Sequence, residues 1–298
     1  MTEKPDNDNI NNQITPLSKQ EVALYIVPTP IGNLEDITLR ALEILRNVDV
    51  IACEDTRVTS KLLLVYGFRA SMMVYNDFST EKDRNKIFRA LDEGKSVALV
   101  SDAGTPLISD PGYKLVHEAH KAGYKVISLP GASSVIVALA LSGLPTNRFL
   151  FEGFLPVKFK ARQDALKKLA LLDATCIFFE SARRLLKTLE AMLEVLGDRE
   201  AVVMRELTKR YEERRAGTLS ELVKHYSTAP DPRGEIVIVT APNPNDGKVE
   251  LTEDVLESKL KEYLKDLTIK EASTKLAEET GLKKSDLYNL ALTLKGKK

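Results

Sequence analysis

The strongest constraint in this 298-residue chain is where its glycines, prolines and small polar residues fall. Through the first half, short apolar runs alternate with helical stretches. Ala23–Val27, Val48–Cys53, Met72–Tyr75, Val97–Val100 and Lys125–Leu129 read as strands. The irregular segments all occupy one place in the repeat, after a strand and before a helix: PTPIGN from Pro28, EDTR from Glu54, Asn76-Asp77, SDAGTP from Ser101 and PGASS from Pro130. The helix-to-strand connections, such as Arg46-Asn47 and Gly94-Lys95, are short and plain. This β-α-β order predicts a parallel sheet with right-handed crossovers. Ligands bind such sheets at the carboxyl ends of the strands, so topology alone gathers five candidate loops on one edge.

Within Ser96–Gly112 (SVALVSDAGTPLISDPG) the apolar run stops abruptly at Ser101-Asp102. Asp102, Ala103, Gly104, Thr105 and Pro106 carry little bulk, so their backbone groups can approach a ligand closely; they read as a ligand loop. Asp110-Pro111 reads as the next helix start, with Asp110 as N-cap and Pro111 in the first position. Helices are predicted from near Asp36–Thr38, at Ser60–Tyr66, at Thr80–Glu93, and at Tyr113–Ala122 with Gly123 closing it.

Several classes are disfavoured. No G-x-G-x-x-G follows the first strand and no G-x-x-x-x-G-K-[ST] occurs, which argues against dinucleotide and phosphate-cradling nucleotide sites. His117, His120 and His225 fall on predicted helices away from the loops, and no metal-ligand spacing is present, so no metal is expected. The 43 basic and 43 acidic residues cancel, so any nucleic-acid binding must come from local patches. Cys53 and Cys176 sit in apolar strands and read as buried reduced thiols, consistent with a cytoplasmic location. No apolar run reaches a membrane span, and residues 1–20, rich in Asn, Asp and Gln, read as a disordered tail rather than a signal peptide.

The second half has a different pattern. Ser133–Leu141 is a nearly all-apolar helix, which predicts burial on most sides. Strands follow at Phe149–Phe154, Thr175–Phe179, Ala201–Arg205, about Arg210–Ala216 and Glu235–Thr240. The close pair near 201–216 predicts an antiparallel hairpin and a mixed sheet. Domains are therefore expected at 21–130 and 131–242. PNPNDGK (242–248) reads as a linker to a helical module at 250–298, where Ile269–Glu279 and Lys284–Lys295 have helix-turn-helix spacing. Basic residues cluster in the second half around Lys158, Lys160 and Arg162, around Arg183 and Arg184, and around Lys209, Arg210, Arg214 and Arg215. Each group alone is an ordinary solvated face. Three together in a neutral chain point to an RNA-facing surface.

The loops also match a known pattern. VPTPIGNL (27–34), ACEDTR (52–57), VSDAGTPLISDPG (100–112), LPG with small residues (129–134), GLPTNRFLFEGFLP (143–156), FFES-x-R-R-L (178–185), RELTKRYEE (205–213) and GEIVIV (234–239) occur in order. Together they resemble the ribosomal RNA small-subunit methyltransferase I family, within the tetrapyrrole methylase, or class III methyltransferase, superfamily. The likeness spans about Leu24 to Ala241. It departs at PGASS, and at Arg183, where a histidine is common.

The resemblance implies an α/β enzyme of two domains, with a parallel-sheet first domain, a mixed-sheet second domain and a C-terminal helical module. Its activity would be methyl transfer from S-adenosylmethionine to the ribose 2′-hydroxyl of a cytidine in the decoding region of 16S rRNA, on the small ribosomal subunit. The cofactor would lie folded in the cleft between the domains, and a homodimer is implied. On that basis Asp102–Pro106 with Pro130, Gly131, Ser133 and Ser134 would hold the cofactor, over a floor of Thr29 and Pro30. Glu54 or Asp55 would take the proton or orient the ribose, and Arg57 would hold a phosphate. The competing reading of Glu54–Arg57 is a helix-capping, internally paired turn. Lys158, Lys160, Arg162, Arg183, Lys209 and Arg210 would face RNA. The last predicted helix, with Lys283, Lys284, Ser285, Tyr288 and Asn289, would touch RNA or protein on the ribosome rather than DNA. Two other readings keep the loops: the same fold acting on a small tetrapyrrole or a protein side chain, and a non-enzymatic ligand sensor whose module binds DNA.

Overall fold

The computed structural model describes residues 20–230, 232–243, 253–265, 267–280 and 282–296. The predicted tail at 1–20, save Gln20, and the greater part of the predicted linker at 242–248 lie outside the described residues. The described residues form two compact units, one of residues up to 137 with 206–213, the other of 138–205 with those from 214 onward.

In the first unit, β1 (Leu24–Ile26), β2 (Val50–Cys53), β3 (Met72–Val74), β4 (Val97–Val100) and β5 (Val126–Ser128) form a sheet in the order β3-β2-β4-β1-β5. Each pairing is parallel, with Tyr25 opposite Ala98 and Ile127, and Ala98 opposite Ile51. Alternate residues of each strand go to opposite faces. Tyr25, Ile51, Cys53, Ala98 and Val100 pack with Ile44 and Leu45 of α1 (Leu39–Asn47). Leu24, Ala52, Val97 and Leu99 pack on the other face with Ile87 of α3 (Glu81–Asp92) and Leu115 of α4 (Tyr113–Lys121). Burial on both faces explains why these strands read as unbroken apolar runs. α1 starts where the Thr38 hydroxyl accepts the Ala41 N–H at 3.0 Å. α2 (Thr56–Val65) begins four residues before the predicted Ser60, because Asp55 caps it.

The division between units falls inside α5 (Ser134–Ser142), after Val137, rather than at Pro130. Residues 131–137 stay with the first unit for local reasons: the Thr105 hydroxyl donates to the Ala132 carbonyl at 2.9 Å, and Gly131 sits tightly against the Pro28 ring. Burial of α5 is also less complete than its composition predicts, with Ile136 54% exposed.

In the second unit, β6 (Phe149–Phe154), β7 (Thr175–Ser181), β8 (Glu200–Arg205), β9 (Glu213–Thr218) and β10 (Glu235–Thr240) form a sheet in the order β6-β7-β10-β8-β9. It is mixed: β6 runs parallel to β7, and β10 antiparallel to both β7 and β8. Phe178, Ile238 and Val203 meet the apolar faces of α6 (Phe159–Leu169), α7 (Leu185–Leu196) and α8 (Leu219–Thr228) in one core. α9 (Glu253–Tyr263), α10 (Ile269–Thr280) and α11 (Lys284–Gly296) pack together around Leu260, Ala272, Leu276 and Leu287. Among the described residues no helix is long and apolar enough to cross a membrane.

Arg162, Glu180 and Arg199 are charged side chains buried in the second unit, and the last two organise networks. Arg199 donates to the carbonyls of Leu196, Ala170 and Ala241, tying three chain segments with no carboxylate in the set. Glu180 accepts from the Ser181 N–H at 2.7 Å and the Thr188 hydroxyl at 2.6 Å, and lies 3.2 Å from Arg184. Both cysteines are buried free thiols. Burial pushes Cys53 above the ordinary thiol range and Cys176 up to about 11. Since the thiolate is the nucleophile, neither is expected to react with iodoacetamide at pH 8 until the protein unfolds, as mass spectrometry of native and denatured samples would show.

Candidate active site at the carboxyl edge of the first sheet

β1 leads across β4 to β2, whereas β4 leads across β1 to β5. The chain therefore leaves these two neighbouring strands in opposite directions, which opens a crevice at their carboxyl ends. The loops there are bonded to one another. Thr29 and Gly104 exchange two backbone hydrogen bonds, of 2.9 and 3.0 Å, forming an antiparallel bridge. The Thr29 hydroxyl donates to the Ser101 carbonyl at 3.1 Å. Thr105 reaches the β5 loop through Ala132, and the Asp102 N–H donates to Glu54 Oε1 at 3.3 Å. The β4 loop thus fixes the loops of β1, β2 and β5.

This loop is tightly coiled. Gly104 and Gly112 have φ of 84° and 133°, and Leu107 and Ser109 take left-handed φ of 75° and 63°. Left-handed non-glycine residues cost about 1–3 kcal/mol each and concentrate at functional sites. Gly112 is also the N-cap of α4, with no side-chain cap bond, which overturns the sequence expectation for Asp110 and Pro111. A glycine at that φ turns the chain two residues later than the expected aspartate cap would. Asp110 instead faces the other loops, its carboxyl pushed up to about 6 by burial and by Asp102 and Asp77, against the Ser101 hydroxyl.

The four residues of EDTR divide into two roles. Asp55 accepts the Arg57 N–H at 2.8 Å and pairs with its guanidinium, so its carboxyl is held at about 2. Asp55 and Arg57 are a cap and an exposed ion pair, the competing reading of this segment. Glu54 is different. Burial first, then Asp110, with Asp102 and Asp77 adding, pushes its carboxyl up to about 7 against the Asp102 N–H. A carboxylate poised near neutrality and held by a backbone amide has the properties of a general base.

The remaining sequence-predicted site residues lie as follows. Thr29 is buried and Pro30 half-buried; Asp102, Ala103, Pro130 and Gly131 are exposed; Thr105, Ser133 and Ser134 are half-buried. A cavity of about 370 Å³ adjoins them, lined by Thr29, Pro30, Ser101 and Asp102 and by one face of α2. Among the described residues no cluster of metal ligands occurs.

The predicted basic surface is partly corrected. Lys158, Lys160 and Arg183 are exposed in the second unit. Arg162 is 7% exposed and turns back to the Val157 carbonyl, because its position falls on the buried stripe of α6 with Leu166 and Leu169. Lys209 pairs with Glu206, and it and Arg210 belong to the first unit rather than the second. Charge does not reveal the exposed aromatics here: Phe159, 60% exposed, stands between Lys158 and Lys160, and Phe154, 57% exposed, lies four residues before Lys158.

The profile of the family described as Tetrapyrrole (Corrin/Porphyrin) Methylases matches residues 23–223, and that of an RsmI C-terminal HTH domain matches 250–295. A ribosomal RNA small subunit methyltransferase I from Erythrobacter litoralis is 52% identical, over 91% of this chain and 95% of its own. The protein of that name from Mesorhizobium japonicum is 48% identical, over 94% and 95%. The chain belongs to this methyltransferase family. The fold agrees: uroporphyrin-III C-methyltransferase from Thermus thermophilus, solved with S-adenosylhomocysteine, superposes with a TM-score of 0.52 at 20% identity, over 73% of this chain and 96% of that one. Family membership makes the chain a methyltransferase and gives the expected tetrapyrrole-methylase fold, with its parallel and mixed sheets and terminal helical domain.

Proposed function

We propose that this protein transfers a methyl group from S-adenosylmethionine to the ribose 2′-hydroxyl of a cytidine in 16S rRNA of the small ribosomal subunit, in the cytoplasm and as a homodimer. The observation that carries the chemistry is Glu54, near neutrality in its pKa and held by the amide of the donor loop. The residues present fit the donor. Asp102, Asp110 and Glu54 all have raised pKa values, Asp110 and Asp102 each among the charges that raise Glu54's, and a bound cation relieves that repulsion. The small loop residues leave backbone groups open to the rest of it.

When bound, S-adenosylmethionine supplies a methyl group on a sulfonium, which keeps the S–C electron pair as the methyl joins the ribose 2′-oxygen. Glu54 takes the hydroxyl's proton. Thr29, Pro30, Ala103, Gly104, Thr105, Pro106, Pro130, Gly131, Ser133 and Ser134 hold the donor, their loops fixed beforehand by the Thr29–Gly104 and Thr105–Ala132 bonds, so little ordering remains for the binding step. Lys158, Lys160 and Arg183 meet phosphates, and Phe154 and Phe159 offer faces on which unpaired bases stack. Exposed aromatics among lysines favour RNA over a small tetrapyrrole.

Methyl label from the donor is expected in small subunits at one cytidine whose 3′ linkage resists alkaline hydrolysis, since a 2′-O-methyl blocks cleavage there. Label on a base, on a ribosomal protein or nowhere would overturn the reading. Gly131→Ala checks the donor site separately. A Cβ there would stand 2.5 Å from Pro28 Cβ, so the β5 loop must move. Calorimetry is expected to find donor binding weakened about 10-fold or more, the equivalent of about 1.4 kcal/mol.

A further inference from the structure

A cavity opens between the β4 loop and α2. On one side it is walled by Thr29, Pro30 and Asp102, and on the other by Val58, Leu62 and Val65 of α2, with Lys61 also in its lining. We propose that it receives the target nucleoside of the RNA acceptor, unstacked from its strand, with Lys61 set against the adjoining phosphate. This rests on the 2′-hydroxyl reading above.

Position is the first argument. Asp102 lines the cavity, and its N–H donates to Glu54 Oε1 at 3.3 Å, so the proton-accepting carboxylate is bonded to a residue of the cavity wall. Thr29, Pro30 and Asp102 border the donor's loops as well, and in-line transfer needs the reacting atoms about 3 Å apart. Size is the second. The volume of about 370 Å³ is near the bottom of the range of about 300–1,000 Å³ for ligand pockets and gives room for one nucleoside.

The walls are the third. Pro30, Val58, Leu62 and Val65 offer apolar surface to the faces of a base, which must leave its stack to be reached. The Thr29 and Ser101 hydroxyls already donate to the carbonyls of Ser101 and Gly104. The hydroxyl oxygens remain free to accept, so the apolar walls hold a base by shape and the hydroxyls can only accept from its edge. Charge is the fourth. Lys61 is exposed and lies one turn beyond Arg57, giving α2 a cationic flank at an edge otherwise rich in carboxylates.

Val58→Trp fills the cavity from an exposed helical position and leaves the core of the unit untouched. The expected result is a loss of at least about 100-fold in kcat/KM on small subunits, with the calorimetric Kd for S-adenosylmethionine within about twofold of wild type. Lys61→Met is expected to lower the slope of log affinity for rRNA against log salt by about 0.7–0.9, the share of one phosphate. Unchanged methyl transfer by Val58→Trp would overturn the proposal. So would a donor Kd that weakens in step with activity, which would give the cavity to the donor. Loss on assembled subunits with naked rRNA still methylated would give it to a ribosomal protein. A wild-type enzyme inactive on both substrates would instead refute the parent reading, and this one with it.

Discussion

Glu54→Gln is expected to lose between about 10²- and 10⁴-fold in methyl transfer at saturating donor, and to unfold at a higher temperature than wild type at pH 8. The two effects have one cause. Glu54 carries its proton up to about pH 7 in the folded chain, against an ordinary value of 4.5, because of burial and of Asp110, Asp102 and Asp77. Between those values the native state binds a proton that the unfolded chain has released, so stability falls as pH rises through the interval. Above about 7 the carboxylate is charged and the whole penalty is present. Glutamine keeps the shape, removes the charge and cannot accept the proton. Its gain in stability is expected to vanish below about pH 4.5, where wild type is protonated in both states. Wild-type turnover should rise with pH through about 7, or through a lower value with the cationic donor bound. A glutamine variant that turns over normally would remove Glu54 from the chemistry. A variant that is inactive and less stable at pH 8 would make it structural.

Glu180→Ala is expected to destabilise the protein by about 3–5 kcal/mol, the cost of removing one partner from a buried pair. The carboxylate is fully enclosed and gathers the Ser181 N–H, the Thr188 hydroxyl and the Arg184 guanidinium. Arg184 in turn donates to the Leu155 carbonyl at 2.6 Å, which binds the start of α7 to the chain after β6. Without Glu180 the arginine retains its charge but loses its counter-charge, and Thr188 is left buried with no partner. Denaturant unfolding should show a lower midpoint with little change in slope. Glu180→Gln, which keeps an acceptor for Ser181 and Thr188, should recover part of the loss. Equal losses in the two variants would mean that charge pairing alone stabilises this corner.

The sheet and its site loops were legible because each depends on a short stretch. An apolar run of four residues bounded by Pro, Gly and Asp specifies a strand and its carboxyl end without reference to the rest of the chain. Features that depend on direction were not legible in that way. Counting charges placed Arg162 with Lys158 and Lys160, yet its spacing to Leu166 and Leu169 is the helical i, i+4, i+7 that marks a buried stripe. The sequence carried that signal, and the charge obscured it. Asp110 read as a cap from its place before a proline. What decides the turn is the left-handed φ of Gly112, a backbone property that composition does not reveal. The Glu180 cluster joins residues of a strand, a turn and a helix, and its only linear trace is a glutamate inside the apolar run FFES.

Residues 206–213 belong to the first unit although the chain on either side of them belongs to the second. Glu206 and Thr208 take left-handed φ of 53° and 64°, the Thr208 hydroxyl accepts the Asn33 N–H at 3.1 Å, and Gly32 has no room for a Cβ against Lys209. This sets an order of synthesis. The parallel sheet has all its strands once Ser128 has been made, but the loop after β1 lacks its support until translation reaches Glu213. A nascent chain therefore carries a formed sheet with an unfinished site, and a fragment cut at Val137 would keep that defect permanently. The catalytic edge is among the last parts of the first unit to mature, after residues 138–205 of the second unit have already been translated.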